Sequence, residues 1–303
     1  MSVRFSSHGL AVPGAAATPA RAQTDDTHWP LAKLLARHQA LKHGGDVRKP
    51  AVLLTTGAMN PVHLGHLDMF VRARRCLEQE HGFSVLAGYI SPSHEGYVRP
   101  KCEHFKQHYL ESDVRLECVR RAVQDSDWLE CGAWEAAPAR SSWPDFPVVV
   151  KALQAHLSGP DGLERDLTLG GQKCTVFYVC GLDHFQKCNL SAGLFRKPSL
   201  SAASMIEETA GVVAIPRDDA PPVRTNLKRL VIGVTECNPQ LSHLSSTRVR
   251  ELLSGRGASK QCLEDRRAAV AEVVGKAVAG LLLPPEPSET DGLERSEPEA
   301  EPE

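Results

Sequence analysis

The sequence predicts a single-domain α/β fold built on a doubly wound parallel sheet. Two observations carry this. Short, continuous apolar runs recur through the middle of the chain, among them 51–56 (AVLLTT), 84–90 (SVLAGYI) and 174–180 (CTVFYVC). Stretches with helical spacing separate them. Strands that are apolar on both faces, alternating with helices, mean a parallel sheet covered on both sides.

The elements follow in order. A short helix is expected near 31–41, then a strand over 51–56 that ends in Gly57. Residues 63–80 place Leu64, Leu67, Phe70, Val71, Arg74 and Leu77 at helical spacing. A second strand covers 84–90, a helix 113–123 and a short strand 128–130. A helix over 146–157 precedes the most apolar strand, 174–180. Residues 211–215 and 230–234 read as further strands, and helices at 247–253 and 263–281 close the body. Residues 96–101 and 159–171 have loop composition.

The ends differ from the body. Residues 1–49 read as a disordered leader with a short helix, 50–283 as the folded domain and 284–303 as a disordered tail. The first 27 residues are acid-poor until Asp25 but carry only Arg4 and Arg21, a weak organelle-targeting signal. A cytoplasmic or nuclear protein is therefore expected. The last twenty residues carry −7, so the net charge of −2 hides a body at +5. That surplus is too small for a general nucleic-acid binder. No apolar run approaches the ~18 residues of a membrane span. Nine cysteines, an odd number with no C-x-x-C pair, read as reduced thiols rather than a disulfide framework or metal site.

Ligands of such sheets bind where strands end and helices begin. The first such junction reads Gly57-Ala58-Met59-Asn60-Pro61-Val62-His63-Leu64-Gly65-His66. Asn60 suits an N-cap and Pro61 the first helical position. His63 and His66, three apart, share a face of the first turn, where free N–H groups favour phosphate. A zinc pair is the alternative reading, but Asp68, the nearest acid, is expected to face elsewhere.

The segment Leu244-Ser245-Ser246-Thr247-Arg248-Val249-Arg250 reads as a capped helix start, with Gly255 as its stop. Arg248 and Arg250 there oppose the helix dipole, and a bound polyphosphate would remove the conflict. The bland reading is a solvated pair with Glu251. Arg99 and Lys101 follow the second strand and, taken alone, are surface charges. Gly181 and Asp183 follow the most apolar strand, where an acid is a natural partner for ribose hydroxyls. Trp134 and Trp143 are either core or stacking residues.

Together these motifs resemble the nucleotidylyltransferase superfamily with its His-x-Gly-His element. The wider resemblance is to eukaryotic nicotinamide/nicotinic acid mononucleotide adenylyltransferases. It is carried by Gly57–His66, Ile90–Tyr97, Ser126–Glu135, Val179–Asp183 and Leu244–Arg250, in order over about 51–256. It implies a Rossmann-like sheet of the HUP type and AMP transfer from ATP, with Mg²⁺, to a pyridine mononucleotide, forming NAD or its deamido form and pyrophosphate. Implied catalytic residues are His63, His66 and Arg250. Implied ATP contacts are Gly57, Ala58, His66, Arg99, Lys101, Gly181, Asp183, Ser246, Thr247, Arg248 and Arg250, with the last motif on the β- and γ-phosphates. Trp134, Trp143, Phe195 and Arg217 fall to the mononucleotide. No nucleic acid or membrane is expected as a partner, and a homo-oligomer stays open.

The chain departs from that pattern in three places. Leu182 replaces a usual alanine, Ser242-His243 replaces an Asn-Asp pair, and Phe195 stands near an expected tryptophan. A transferase with another phosphate acceptor is thus a rival, as is a non-catalytic nucleotide-binding or chaperone-like homologue. A regulatory protein acting through its acidic tail is a third.

Overall fold

The computed structural model describes residues 28–137, 142–158, 167–194, 210–216, 220–254 and 263–284. Six strands form one sheet: β1 (Lys49–Gly57), β2 (Phe83–Pro92), β3 (Leu129–Cys131), β4 (Thr175–Gly181), β5 (Ala210–Ile215) and β6 (Val231–Gly233). Their order is β3-β2-β1-β4-β5-β6 and every pairing is parallel. β1 is therefore central, bonded to β2 on one side and to β4 on the other. The direction of winding reverses between β1 and β4, and a cleft opens at the carboxyl ends of those two strands, as the sheet rule requires.

Both faces are covered, which is why the strands are continuously apolar. Ala51 and Leu53 face a core shared with α2 (Leu64–Glu80), α4 (Ser112–Val123), α8 (Ser246–Ser254), α9 (Leu263–Val274) and α10 (Lys276–Leu282). Their neighbours Val52 and Leu54 face a second core with α1 (Ala32–His43), α5 (Phe146–Ser158) and α6 (Leu182–Lys187). The two-residue period of a strand sends alternate side chains to opposite cores.

Several elements differ from expectation. The folded body starts upstream of 50, because α1 packs on the sheet. Trp29 and Leu34 are buried, Trp29 meets Tyr89 edge-on at 5.5 Å, and Lys33 Nζ donates to the Leu129 carbonyl at 2.8 Å. Residues 96–101 are not a loop. They lie within α3 (Glu95–His104), whose first turn is capped by His94 Nδ1 accepting from Gly96 N at 3.0 Å. Gly96 and Pro100 are poor helix formers and hid it. The closing helix is two helices, broken at Gly275 with φ +85°. Four-residue α7 (Pro239–Ser242) follows β6. The leader 1–27, most of the tail and the greater part of the 159–171 segment lie outside the described residues.

Candidate active site

β1 delivers Gly57 to the cleft, and the chain turns through Ala58 and Met59 into α2. Asn60 is not the N-cap of that helix. Its amide is buried and engaged elsewhere: Nδ2 donates to the His108 carbonyl at 2.8 Å, and Oδ1 accepts from Leu110 N at 2.9 Å. Asn60 therefore pins the 105–111 segment beneath the turn. His63 takes the cap position, with extended backbone before Leu64.

The two imidazoles lie 3.8 Å apart, centroid to centroid. His63 N donates to His66 Nδ1 at 3.2 Å. A neutral His66 with Nδ1 accepting carries its proton on Nε2, so that nitrogen is a donor. Both rings line the cleft, together with Thr56, Gly57, Gly65, Tyr178, Gly181 and Asp183.

The closing motif reaches the same turn from the far end of the chain. Ser245 Oγ accepts from Arg248 N at 3.2 Å and caps α8. Ser246 Oγ donates to the Pro61 carbonyl at 2.8 Å. Arg250 donates through Nη1 to the Asn60 carbonyl at 2.9 Å and through Nη2 to Thr247 Oγ1 at 2.8 Å. Partial burial lowers its pKa from the ordinary guanidinium value. Ser246, Thr247 and Arg250 thus border the first turn, but Arg248 does not. It is exposed and pairs with Glu251 at 3.8 Å, the bland arrangement.

Other expected site residues are not among those that line the cleft. Arg99 lies exposed on α3, bound to Glu95 (Nε–Oε1 2.9 Å) and to Glu111 (3.1 Å), with its guanidinium over the Tyr109 ring. Lys101 sits 5.5 Å from the Tyr97 ring centroid. Their helix, absent from the expectation, sets their direction. Trp134 is stacked against Trp29 at 6.4 Å, which binds it into the core. Trp143 is half exposed beside Tyr97, with ring centroids 5.4 Å apart. The Ala58 carbonyl faces inward, to Arg115. Phe195 and Arg217 lie outside the described residues.

Sequence reasoning missed three buried groups. Asp68 does face the cleft. Its carboxylate holds Arg72 Nε at 2.8 Å and accepts from Asn238 Nδ2 at 2.8 Å. Arg72 Nη1 also donates to the Glu236 carbonyl at 2.9 Å, tying α2 to the segment after β6. Arg115 is fully buried below the Gly57–His66 turn. It donates to the carbonyls of Leu110 (3.1 Å), Ala58 (2.9 Å) and Ser93 (2.8 Å), the last two just beyond β1 and β2. The available signal was an arginine at a core position of α4, one turn before Val119. Glu135 is 3% exposed, and desolvation pushes its carboxyl up to about 8.

At the other wall, Tyr178 bonds Thr56 Oγ1 at 3.1 Å and His184 Nε2 at 3.3 Å, with Phe146 stacked on its ring at 4.8 Å. Burial raises the tyrosine pKa well above its ordinary range and lowers that of His184. Both are neutral at pH 7, so this wall offers uncharged donors and acceptors.

The chain is similar to several known proteins. A family model described as cytidylyltransferase-like matches residues 54–252. The nicotinamide/nicotinic acid mononucleotide adenylyltransferase 2 of Xenopus tropicalis is 40% identical over 84 residues, 28% of this chain and a quarter (25%) of that protein. The rice (Oryza sativa subsp. japonica) nicotinamide/nicotinic acid mononucleotide adenylyltransferase is 27% identical over 241 residues, 76% of this chain and 84% of that protein. A solved structure of Plasmodium falciparum nicotinic acid mononucleotide adenylyltransferase complexed with NaAD aligns with a TM-score of 0.42 at 11% identity, covering 77% of this chain and 94% of that one. With about two thirds of its length matched by that family model, the chain belongs to the cytidylyltransferase-like family.

Proposed function

We propose that the chain is an adenylyltransferase that transfers AMP from ATP to nicotinamide or nicotinic acid mononucleotide. The observation that carries this is the meeting of His63 and His66, at the start of α2, with Arg250 of α8 around one turn. The phosphate oxygen of the mononucleotide attacks the α-phosphorus of ATP. A new O–P bond forms, the bond to the β-phosphate bridging oxygen breaks, and pyrophosphate leaves. No protein nucleophile is required, so catalysis is positioning and charge stabilisation.

His66 donates through Nε2 to a non-bridging α-phosphate oxygen, and His63 supports the neighbouring oxygens. Arg250 and the Thr247 hydroxyl, already bonded to one another, hold the departing pyrophosphate. Asp183 after β4 accepts from ribose hydroxyls. Among the described residues, no cluster of three His, Cys, Asp or Glu ligands converges in the cleft. A divalent ion such as Mg²⁺ would enter with the ATP phosphates and would supply charge neutralisation there.

The test is pyrophosphate release by the purified full chain with ATP, the two mononucleotides being compared side by side. His66→Ala is expected to lose about 10²–10³ in kcat while staying folded. Wild-type turnover by that variant refutes the assignment. A different phosphate acceptor is the second reading, since Trp134 has one face stacked on Trp29 and at most its other face can meet a ligand ring. A panel of other phosphate monoesters, run in the same assay, decides between the two readings.

A further inference from the structure

The C-terminal end of α2 carries a cluster that the proposed transfer reaction does not use. Cys76 and Glu80 are four residues apart and share a helix face. His81 follows at the C-cap, where the chain leaves the helix. One ligand atom from each of the three lies within 4.8 Å of the other two, the sole group of its kind among the described residues.

Three features suit this cluster to a cation. The last carbonyls of a 17-residue helix present the negative end of its dipole there. Cys76 is buried at 4% exposure, so the sulfur side of a bound cation is shielded from solvent, while burial holds the metal-free thiol protonated. The Nε2 of His81 is closed off from solvent and has no hydrogen-bond partner, so the imidazole has bonding capacity that no protein group uses.

We propose that Cys76, Glu80 and His81 form a divalent-cation site, of a kind suited to zinc. Sulfur and imidazole donors with one carboxylate select a borderline-soft ion over magnesium or calcium. On binding, the Cys76 S–H bond breaks, the proton passes to solvent and the sulfur ligates the metal as thiolate. Water fills the fourth position. The site's three residues lie about 15–22 Å from His66 along the helix, at ~1.5 Å per residue. Its occupancy is thus separable from the chemistry at the other end of α2.

The experiment uses the full chain, stripped with chelator and titrated with Co²⁺. The expected result is a sulfur-to-cobalt charge-transfer band that saturates at one equivalent and is abolished by Zn²⁺. Cys76→Ser is expected to lose the band. His81→Ala, at a partly exposed cap, is expected to weaken Co²⁺ binding by at least about tenfold while circular dichroism and pyrophosphate release stay unchanged. Absence of the band in the wild-type chain overturns the proposal. So does a band of equal strength and affinity in both variants, which would place the metal on other thiols.

Discussion

Arg250 Nη1 donates to the carbonyl of Asn60 across 190 residues of chain, at 2.9 Å. The bond joins the closing motif to the turn that carries the histidine pair. It also aims the guanidinium at a fixed place before any ligand arrives. Arg250→Lys keeps the charge but loses the planar fork that serves Asn60 and Thr247 together. A fall of about 10²–10³ in kcat with a small change in melting temperature is expected. Steady-state kinetics beside thermal unfolding check this, and unchanged kcat would detach Arg250 from the reaction.

Asp68 and Arg72 form a largely buried pair at 2.8 Å. Removing one partner of such a pair leaves a charge without its counterion and typically costs about 3–5 kcal/mol. Asp68→Ala is expected to destabilise on that order. The double variant Asp68→Ala, Arg72→Met is expected to recover much of the loss. Denaturant unfolding of the two single variants and the double one measures the coupling.

Arg115 holds three carbonyls and no solvent reaches it. Arg115→Met leaves the Ala58 and Ser93 carbonyls unpaired beneath the cleft. A loss of about 3 kcal/mol or more is expected in stability. Because Ala58 lies in the turn itself, KM for ATP should rise as well. A variant that unfolds more easily but keeps its KM would confine Arg115 to a structural role.

Glu135 supplies a pH dependence. Its carboxyl is raised to about 8 in the folded chain by burial, against an ordinary value of 4.5. Between those values the folded state binds the extra proton, so stability falls as pH rises from about 4.5 to about 8. Glu135→Gln removes this contribution. Its melting temperature should decline less than wild type over that interval, and the gap should be widest near pH 8. Parallel profiles for the two proteins would contradict a protonated Glu135.

Much of the scaffold was legible because it rests on local pattern. Continuous apolar strands and helical spacing mark β1, β2, β4, α2 and α4 without knowledge of their neighbours. The His63–His66 spacing places both rings on one helical turn for the same reason. What escaped depends on partners far along the chain. Asp68 diverges from His66 on a helical wheel, yet the segment after β6 brings Asn238 to its other side and closes the cleft around both. Asn60 looks like a helix cap until His108 and Leu110 claim its amide. Trp134 looks open on both faces until Trp29, in a stretch read as leader, stacks on one of them. Arg99 and Lys101 look like loop residues until α3 carries them and Glu95 and Glu111 engage Arg99.

The central position of β1 has a consequence for how the protein is made. Its partner β2 follows almost at once, but Ala51 meets Thr175 on β4 only after 124 further residues. At roughly 5–20 residues per second, one edge of β1 stays open for about 6–25 s of synthesis. Half of the cleft wall is missing for that time, and Arg250 arrives later still. A ligand can therefore engage the complete site only once nearly the whole body has emerged from the ribosome. In the interval, the bare edge of β1 is the stretch of the young chain most in need of shelter.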